Sequence, residues 1–183
     1  KDSNDFILKI ISPNIELSEF FKNDNDEKSI EKLIKLSNPN KYQKTIFVWP
    51  EAMLSSTYLN EITKYKEIFS QNFSENHLII FGIQKIKYIK NEKHIYNSLV
   101  VVDKNLDLLA SYDKNKLVPF GEFLPYESFF HKIGLKKITY GYKSFSKGSD
   151  RKIINIKKNG YNFNFLPLIC YEIIYSGNLK NEK

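Results

Sequence analysis

Three short segments of the chain carry side chains able to do covalent chemistry. The one cysteine, Cys170, lies in the run Leu-Pro-Leu-Ile-Cys-Tyr-Glu at 166–172. A lone cysteine is as a rule a small buried hydrophobe. At the end of an apolar strand, on a sharp turn, its thiol would instead face a substrate, and the next backbone N–H would face a developing oxyanion. A thiol nucleophile also needs a base and a nearby positive charge. His77, His94 and His131 stand in no motif and are read as incidental. Carboxylates and a lysine serve better. Glu51 follows Val-Trp-Pro, so Pro50 sets the chain direction just before the carboxylate. Lys114 opens the run Lys-Asn-Lys-Leu-Val-Pro-Phe-Gly-Glu at 114–122. Leu117, Val118 and Phe120 are expected to be buried there, drawing Glu122 and Lys114 inward. A glutamate and a lysine taken out of water must pair or serve a function.

These residues need a scaffold that brings distant segments together. Residues 6–11 read as a short buried strand. Ile30, Leu33, Ile34 and Ser37 have helical spacing. Residues 45–49 are β-branched and aromatic, and Pro50 ends them as a strand. Tyr58, Ile62, Tyr65, Phe69 and Phe73 fall on one face of a helix over 58–73. Strands follow at 77–83, 96–103 and 106–112, the last two around a turn at Lys104–Asn105. Residues 113–126, with Pro119, Gly121 and Pro125, read as a structured loop, and 136–150 as a second one. Residues 152–157 and 161–169 form a hairpin turning at Asn159–Gly160, its second strand running into Cys170. Alternating strands and helices followed by hairpins predict an α/β layered sandwich.

Composition narrows the function classes. The 183 residues, 42% hydrophobic and 27% charged, suffice for one globular domain with a real core. The longest apolar runs, 78–83 and 99–102, are far shorter than the ~20 residues of a membrane helix. No signal or transit peptide opens the chain, which starts with Lys1 and is expected to be a piece of a longer protein. A single cysteine excludes an internal disulfide framework and a multi-cysteine zinc site. The net charge is +7, but among the 28 basic residues only Arg151 is arginine, and the lysines are scattered. That distribution reads as codon bias and solubility rather than a nucleic-acid footprint. The chain has no P-loop, dinucleotide fingerprint or Gly-x-Ser-x-Gly elbow, so no nucleotide, metal or organic cofactor is expected.

Trp49-Pro50-Glu51, Tyr-Asp-Lys-Asn-Lys-Leu-Val-Pro-Phe-Gly-Glu at 112–122 and Leu-Ile-Cys-Tyr-Glu at 168–172 resemble, in order and spacing, the Glu–Lys–Cys motifs of the nitrilase, or carbon–nitrogen hydrolase, superfamily. Leu-Val-Pro-Phe-Gly-Glu-Phe-Leu-Pro at 117–125 and Ile-Cys-Tyr-Glu at 169–172 are similar to those of the bacterial apolipoprotein N-acyltransferases. The likeness runs from about Ile7 to the end and includes Phe-Ser-Lys-Gly at 145–148.

The resemblance implies a nitrilase-like α-β-β-α sandwich. It implies Glu51 as general base, Lys114 as the cation on the oxyanion and Cys170 as nucleophile. Glu122 would orient the site, and Tyr171 and Glu172 would support the nucleophile. Of Lys114 and Lys116, only Lys114 occupies the motif position. The implied reaction moves an acyl chain from a phospholipid to the α-amino group of the diacylglyceryl-cysteine of an apolipoprotein, through a thioester on Cys170. The alternative is a soluble amidase or glutaminase using the same residues with water as acceptor. The family's transmembrane helices and the rest of its catalytic fold are not in this sequence. Residues 1–183 are therefore expected to be a partial domain, with its C-terminal part missing, of a protein of the bacterial inner membrane. That domain would face the periplasm, meet the membrane through the missing parts and bind no nucleic acid.

Overall fold

The computed structural model describes residues 5–14, 26–51, 54–119, 121–123 and 144–174. Five strands make one sheet: β1 (Ile7–Ile10), β2 (Thr45–Val48), β3 (His77–Ile89), β4 (Glu92–Val102) and β5 (Leu108–Asp113), in that spatial order. β1, β2 and β3 run parallel, and β4 and β5 return antiparallel. Helix α1 (Asp26–Ser37) links β1 to β2, while a 3-10 helix (Leu59–Tyr65) and α2 (Lys66–Asn72) link β2 to β3. A separate hairpin, β6 (Ile154–Lys158) and β7 (Tyr161–Phe165), forms a second small sheet.

Side chains alternate across a strand, so the central strands supply two apolar faces. On one, Phe47, Ile79, Phe81, Val100 and Val102 pack against Ile30, Leu33 and Ile34 of α1 and against Tyr65 and Phe69. On the other, Ile46, Leu78, Ile80 and Val101 meet Ile156 and Tyr161 of the hairpin. The layers are therefore helices, a five-stranded sheet and a two-stranded sheet. Each fully buried side chain of this kind contributes roughly 1.5–3 kcal/mol. Ser37, at the end of α1, is fully buried, and its hydroxyl accepts the Trp49 indole N–H at 2.9 Å. That bond ties the end of α1 to the end of β2, two residues before Glu51.

Four features differ from the sequence expectations. β1 is not buried: Ile7, Leu8 and Ile10 are 45%, 56% and 73% exposed, because β2 is its only strand partner among the described residues. The 58–73 segment is not one helix. Its buried residues step by three from Ile62 to Tyr65, which suits the 3-10 turn, and then by four through Phe69 to Phe73, which suits α2. β3 and β4 extend as a long ribbon closed at Lys90 and Asn91, both at positive φ. β7 stops at Phe165 instead of running to Cys170, since Pro167 has no N–H to give a ladder. The turn at Asn159–Gly160 stands as expected, with φ of 49° and 76°. Phe120, residues 124–126, His131 and residues 136–143 lie outside the described residues. Among the described residues no helix is long and apolar enough to cross a membrane.

Candidate active site

Glu51 leaves the end of β2 and is held from both sides. Before it stands the Trp49–Ser37 bond; after it, the buried carboxylate of Asp26, at the start of α1, accepts the backbone N–H of Ser55 at 2.9 Å and of Ser56 at 3.1 Å. Lys114 follows β5 directly. Its backbone N–H donates to the Asn97 carbonyl at 2.8 Å, which carries the β4–β5 pairing one residue further.

The side chains then converge. The Lys114 ammonium, 1% exposed, donates to Glu122 Oε1 at 2.9 Å. The amide Nδ2 of Asn97 donates to Glu51 Oε1 at 2.7 Å and to Glu122 Oε1 at 3.2 Å. Glu122 is fixed in turn by its other oxygen, which accepts the Val118 N–H at 2.9 Å. Two carboxylates, one ammonium and one neutral amide thus form a single network, and Glu51 keeps a second oxygen outside these bonds. Leu117 and Val118 are half-buried rather than buried. Lys114 is drawn inward by its pairing with Glu122, not by an apolar plug.

Cys170 is exposed and adopts a left-handed backbone conformation, φ 51°, at the head of a 3-10 turn over 170–174. A non-glycine residue there is strained, a condition seen at functional turns. Glu172, fully buried, holds this turn. Its Oε2 accepts the Ile169 N–H at 3.0 Å, and its backbone N–H donates back to the Ile169 carbonyl at 3.2 Å. Its Oε1 accepts three donors: the Tyr112 hydroxyl at 2.7 Å and the backbone N–H groups of Asn115 and Lys116, both at 3.0 Å. One carboxylate therefore clips the turn that carries Cys170 to the residues just after Lys114. Burial, and then the hydrogen bond to Glu172, push the Tyr112 hydroxyl far above its usual range and keep it a donor. Tyr171 is 57% exposed and takes no part in either network among the described residues.

A third segment closes around these two. Phe145 N–H donates to the Glu122 carbonyl at 2.8 Å, Ser146 N–H to the Ile95 carbonyl at 2.7 Å, and Gly148 N–H to the Lys114 carbonyl at 2.9 Å. Asn115 Nδ2 donates to the carbonyls of Gly148 and Ser149 at 3.0 and 3.1 Å. A Cβ on Gly148 would lie 2.0 Å from the Asp113 carbonyl oxygen, so only glycine fits. On the opposite face of β5, Asp113 accepts from Lys85, Lys87 and Ser98. Burial alone would raise its carboxyl, but these bonds outweigh that and hold it below the usual range.

Asn97, Asn115 and Tyr112 are the members that sequence reasoning missed. Asn97 left one signal, a polar Asn-Ser pair inside an otherwise apolar run at 95–102. Of the histidines, His77 is a buried structural residue and His94 bonds Ser146 Oγ at 3.0 Å. Among the described residues no group of His, Cys, Asp or Glu is arranged to hold a metal ion. Chemically, the site offers a carboxylate, a desolvated ammonium and an accessible thiol on a strained turn.

Comparison with known proteins gives the following. No family model matches the chain. An apolipoprotein N-acyltransferase from Brucella suis is 30% identical over 184 residues, covering 96% of this chain and 33% of that protein. One from Bradyrhizobium diazoefficiens is 33% identical over 144 residues, covering 76% of this chain and 26% of that protein. The chain thus spans about a third of the length of the curated relatives it matches. Among solved structures, a glutamine-dependent NAD+ synthetase from Acinetobacter baumannii superposes with a TM-score of 0.53 at 20% identity, covering 86% of this chain and 27% of that one. That likeness concerns the fold.

Proposed function

The chain is a homologue of the apolipoprotein N-acyltransferases with a nitrilase-like α/β fold, and on that premise we propose that it is a partial carbon–nitrogen hydrolase domain that moves an acyl chain from a phospholipid onto the α-amino group of an apolipoprotein's diacylglyceryl-cysteine. The observation that supports this reading is a pair of networks anchored on the same loop after β5: one gathers Glu51, Asn97, Glu122 and Lys114, and in the other Glu172 ties the Cys170 turn to Asn115 and Lys116.

The steps follow from the groups present. Glu51 takes the thiol proton of Cys170 and the sulfur attacks the ester carbonyl of the donor. Lys114, with the backbone N–H after Cys170, holds the oxyanion in a site where charge is poorly screened. The carbon–oxygen bond of the ester then breaks, and Glu51 returns the proton to the departing alcohol. The acyl group is left as a thioester. The free amine of the acceptor attacks that thioester, Glu51 removes its proton and the thiol of Cys170 is restored. Glu122 orients Lys114, Glu172 positions the turn and Tyr171 stands at its exposed side. No metal or cofactor enters these steps. The whole protein would work at the bacterial inner membrane, with this domain on the periplasmic side.

Incubation of the chain with a phospholipid and a short diacylglyceryl-cysteine peptide tests the reading. Mass spectrometry is expected to find the peptide carrying one more acyl group, as an amide. Release of ammonia from glutamine or a simple amide, with no acylated peptide, would establish the amidase alternative instead.

A further inference from the structure

β4 carries two adjacent polar residues, Asn97 and Ser98, and side chains alternate across a strand, so the two serve opposite faces. On one face Ser98 Oγ donates to Asp113 Oδ1 at 2.8 Å. On the other, the Asn97 amide donates to Glu51 Oε1 at 2.7 Å and to Glu122 Oε1 at 3.2 Å. The backbone carbonyl of Asn97 also accepts the Lys114 N–H at 2.8 Å. One residue, 9% exposed, therefore touches all three charged members of the cluster.

Asn97 is also the member with the firmest backbone. It lies within β4, opposite Gln84 of β3, whereas Glu51 stands beyond the end of β2 and Glu122 stands in a loop. A side chain presented from a sheet can fix two that are not. Its chemistry suits the task. An asparagine amide has two N–H donors and no charge, so it can bind two carboxylates without neutralising either. A lysine there would pair with Glu51 as Lys114 pairs with Glu122, and an aspartate would repel both.

We propose that Asn97 is the positioning residue of this site. It holds one oxygen of Glu51 so that the other faces the Cys170 thiol, and it keeps Glu122 on Lys114. The proposal rests on the reading of Glu51 as the base. It adds that the aim of that base is set from β4, by a residue that touches neither the thiol nor the acyl group.

A double-mutant cycle on Asn97 and Glu51 in the 183-residue chain tests this, read by intact mass as the rate at which iodoacetamide alkylates Cys170. Asn97→Ala is expected to slow alkylation at least about fivefold when Glu51 is present. In Glu51→Gln, where there is no base to aim, it is expected to cost less than about twofold. The near-isosteric Asn97→Asp gives a second signature, readable even where the alanine variant fails to fold. At pH 8 the introduced carboxylate repels Glu51 and Glu122 and cannot donate; near pH 5.5 its protonation restores one donor. Its deficit against the parent chain at the same pH is expected to shrink from about tenfold to about threefold. Equal slowing by Asn97→Ala in both backgrounds, or an Asn97→Asp deficit that does not change with pH, overturns the proposal and makes Asn97 a structural residue only. Coupled alkylation without any acylation of Cys170 by a phospholipid counts against acyl transfer and leaves the positioning role standing. Acylation that Asn97→Ala slows equally with and without Glu51 does the reverse.

Discussion

Asn97 is the neutral donor between two carboxylates that would otherwise repel each other in a half-buried site. It binds one oxygen of Glu51 and leaves the other outside these bonds, while Glu122 pairs with Lys114; on the proposed reading that second oxygen is the one that takes the thiol proton. This division of labour gives Lys114 a testable weight. Lys114→Ala is expected to slow acylation of Cys170 by about 10²–10³-fold, a loss of roughly 3–4 kcal/mol at the transition state. Lys114→Arg is not expected to restore it, because the planar guanidinium cannot occupy the place of a compact ammonium against Glu122. Exposed Lys152→Ala serves as the control and keeps the rate. Acylation at the wild-type rate in Lys114→Ala would show that the ammonium is only structural. At this scale Glu51, Lys114, Glu122 and Cys170 were legible as candidates, because each sits in an unusual local run. Asn97 was not, because its partners are 46 and 25 residues away and the polar Asn-Ser pair inside β4, its one local mark, does not name them.

Two elements must keep register for the site to exist: the loop after β5 and the turn at Cys170. Glu172 is their clip. In Glu172→Gln an NH₂ replaces an oxygen that faced only donors, so at least one bond is lost and a donor meets a donor. Unfolding free energy is expected to fall by about 2–4 kcal/mol, with slower alkylation of Cys170 by iodoacetamide; unchanged values in both assays would show that the clip is unimportant. Gly148→Ala acts on the third segment. The new methyl meets backbone at Asp113, which cannot rotate away, so denaturant unfolding is expected to show a loss of about 1–3 kcal/mol. The segment 145–148 was readable as a motif, but the reason for its glycine lies in a carbonyl 35 residues earlier. The elements themselves were largely legible from alternation and helical spacing. The exceptions have physical causes: the Lys90–Asn91 turn carries no glycine to announce it, β1 lies at an edge, and Pro167 ends the ladder before Cys170.

Across the whole molecule, sheet, helices and hairpin hold these segments in place, and that assembly has a pH dependence of its own. His77 is fully buried at the start of β3, where Nδ1 accepts the Ser74 N–H at 3.1 Å and Nε2 donates to the Asn40 carbonyl at 2.9 Å. Burial holds its pKa below the ordinary 6.5, and a proton on Nδ1 would face the Ser74 donor. The unfolded chain therefore binds the proton more readily than the fold does. Stability is fully present above about pH 6.5 and is lost as pH falls through the window beneath it. Urea midpoints between pH 8 and 5 are expected to show this decline, and His77→Gln to flatten it; a parallel decline in the variant would assign the effect to other groups. The acyl-transfer account itself stands or falls on the sulfur of Cys170. Intact-mass analysis of the chain after brief exposure to p-nitrophenyl hexanoate tests it most directly. The account predicts one hexanoyl group on Cys170, removed by neutral hydroxylamine, absent in Cys170→Ser and formed at least about a hundredfold more slowly in Glu51→Gln and Lys114→Ala. An adduct on another residue, or one that forms on Cys170 equally fast in those two variants, would contradict it.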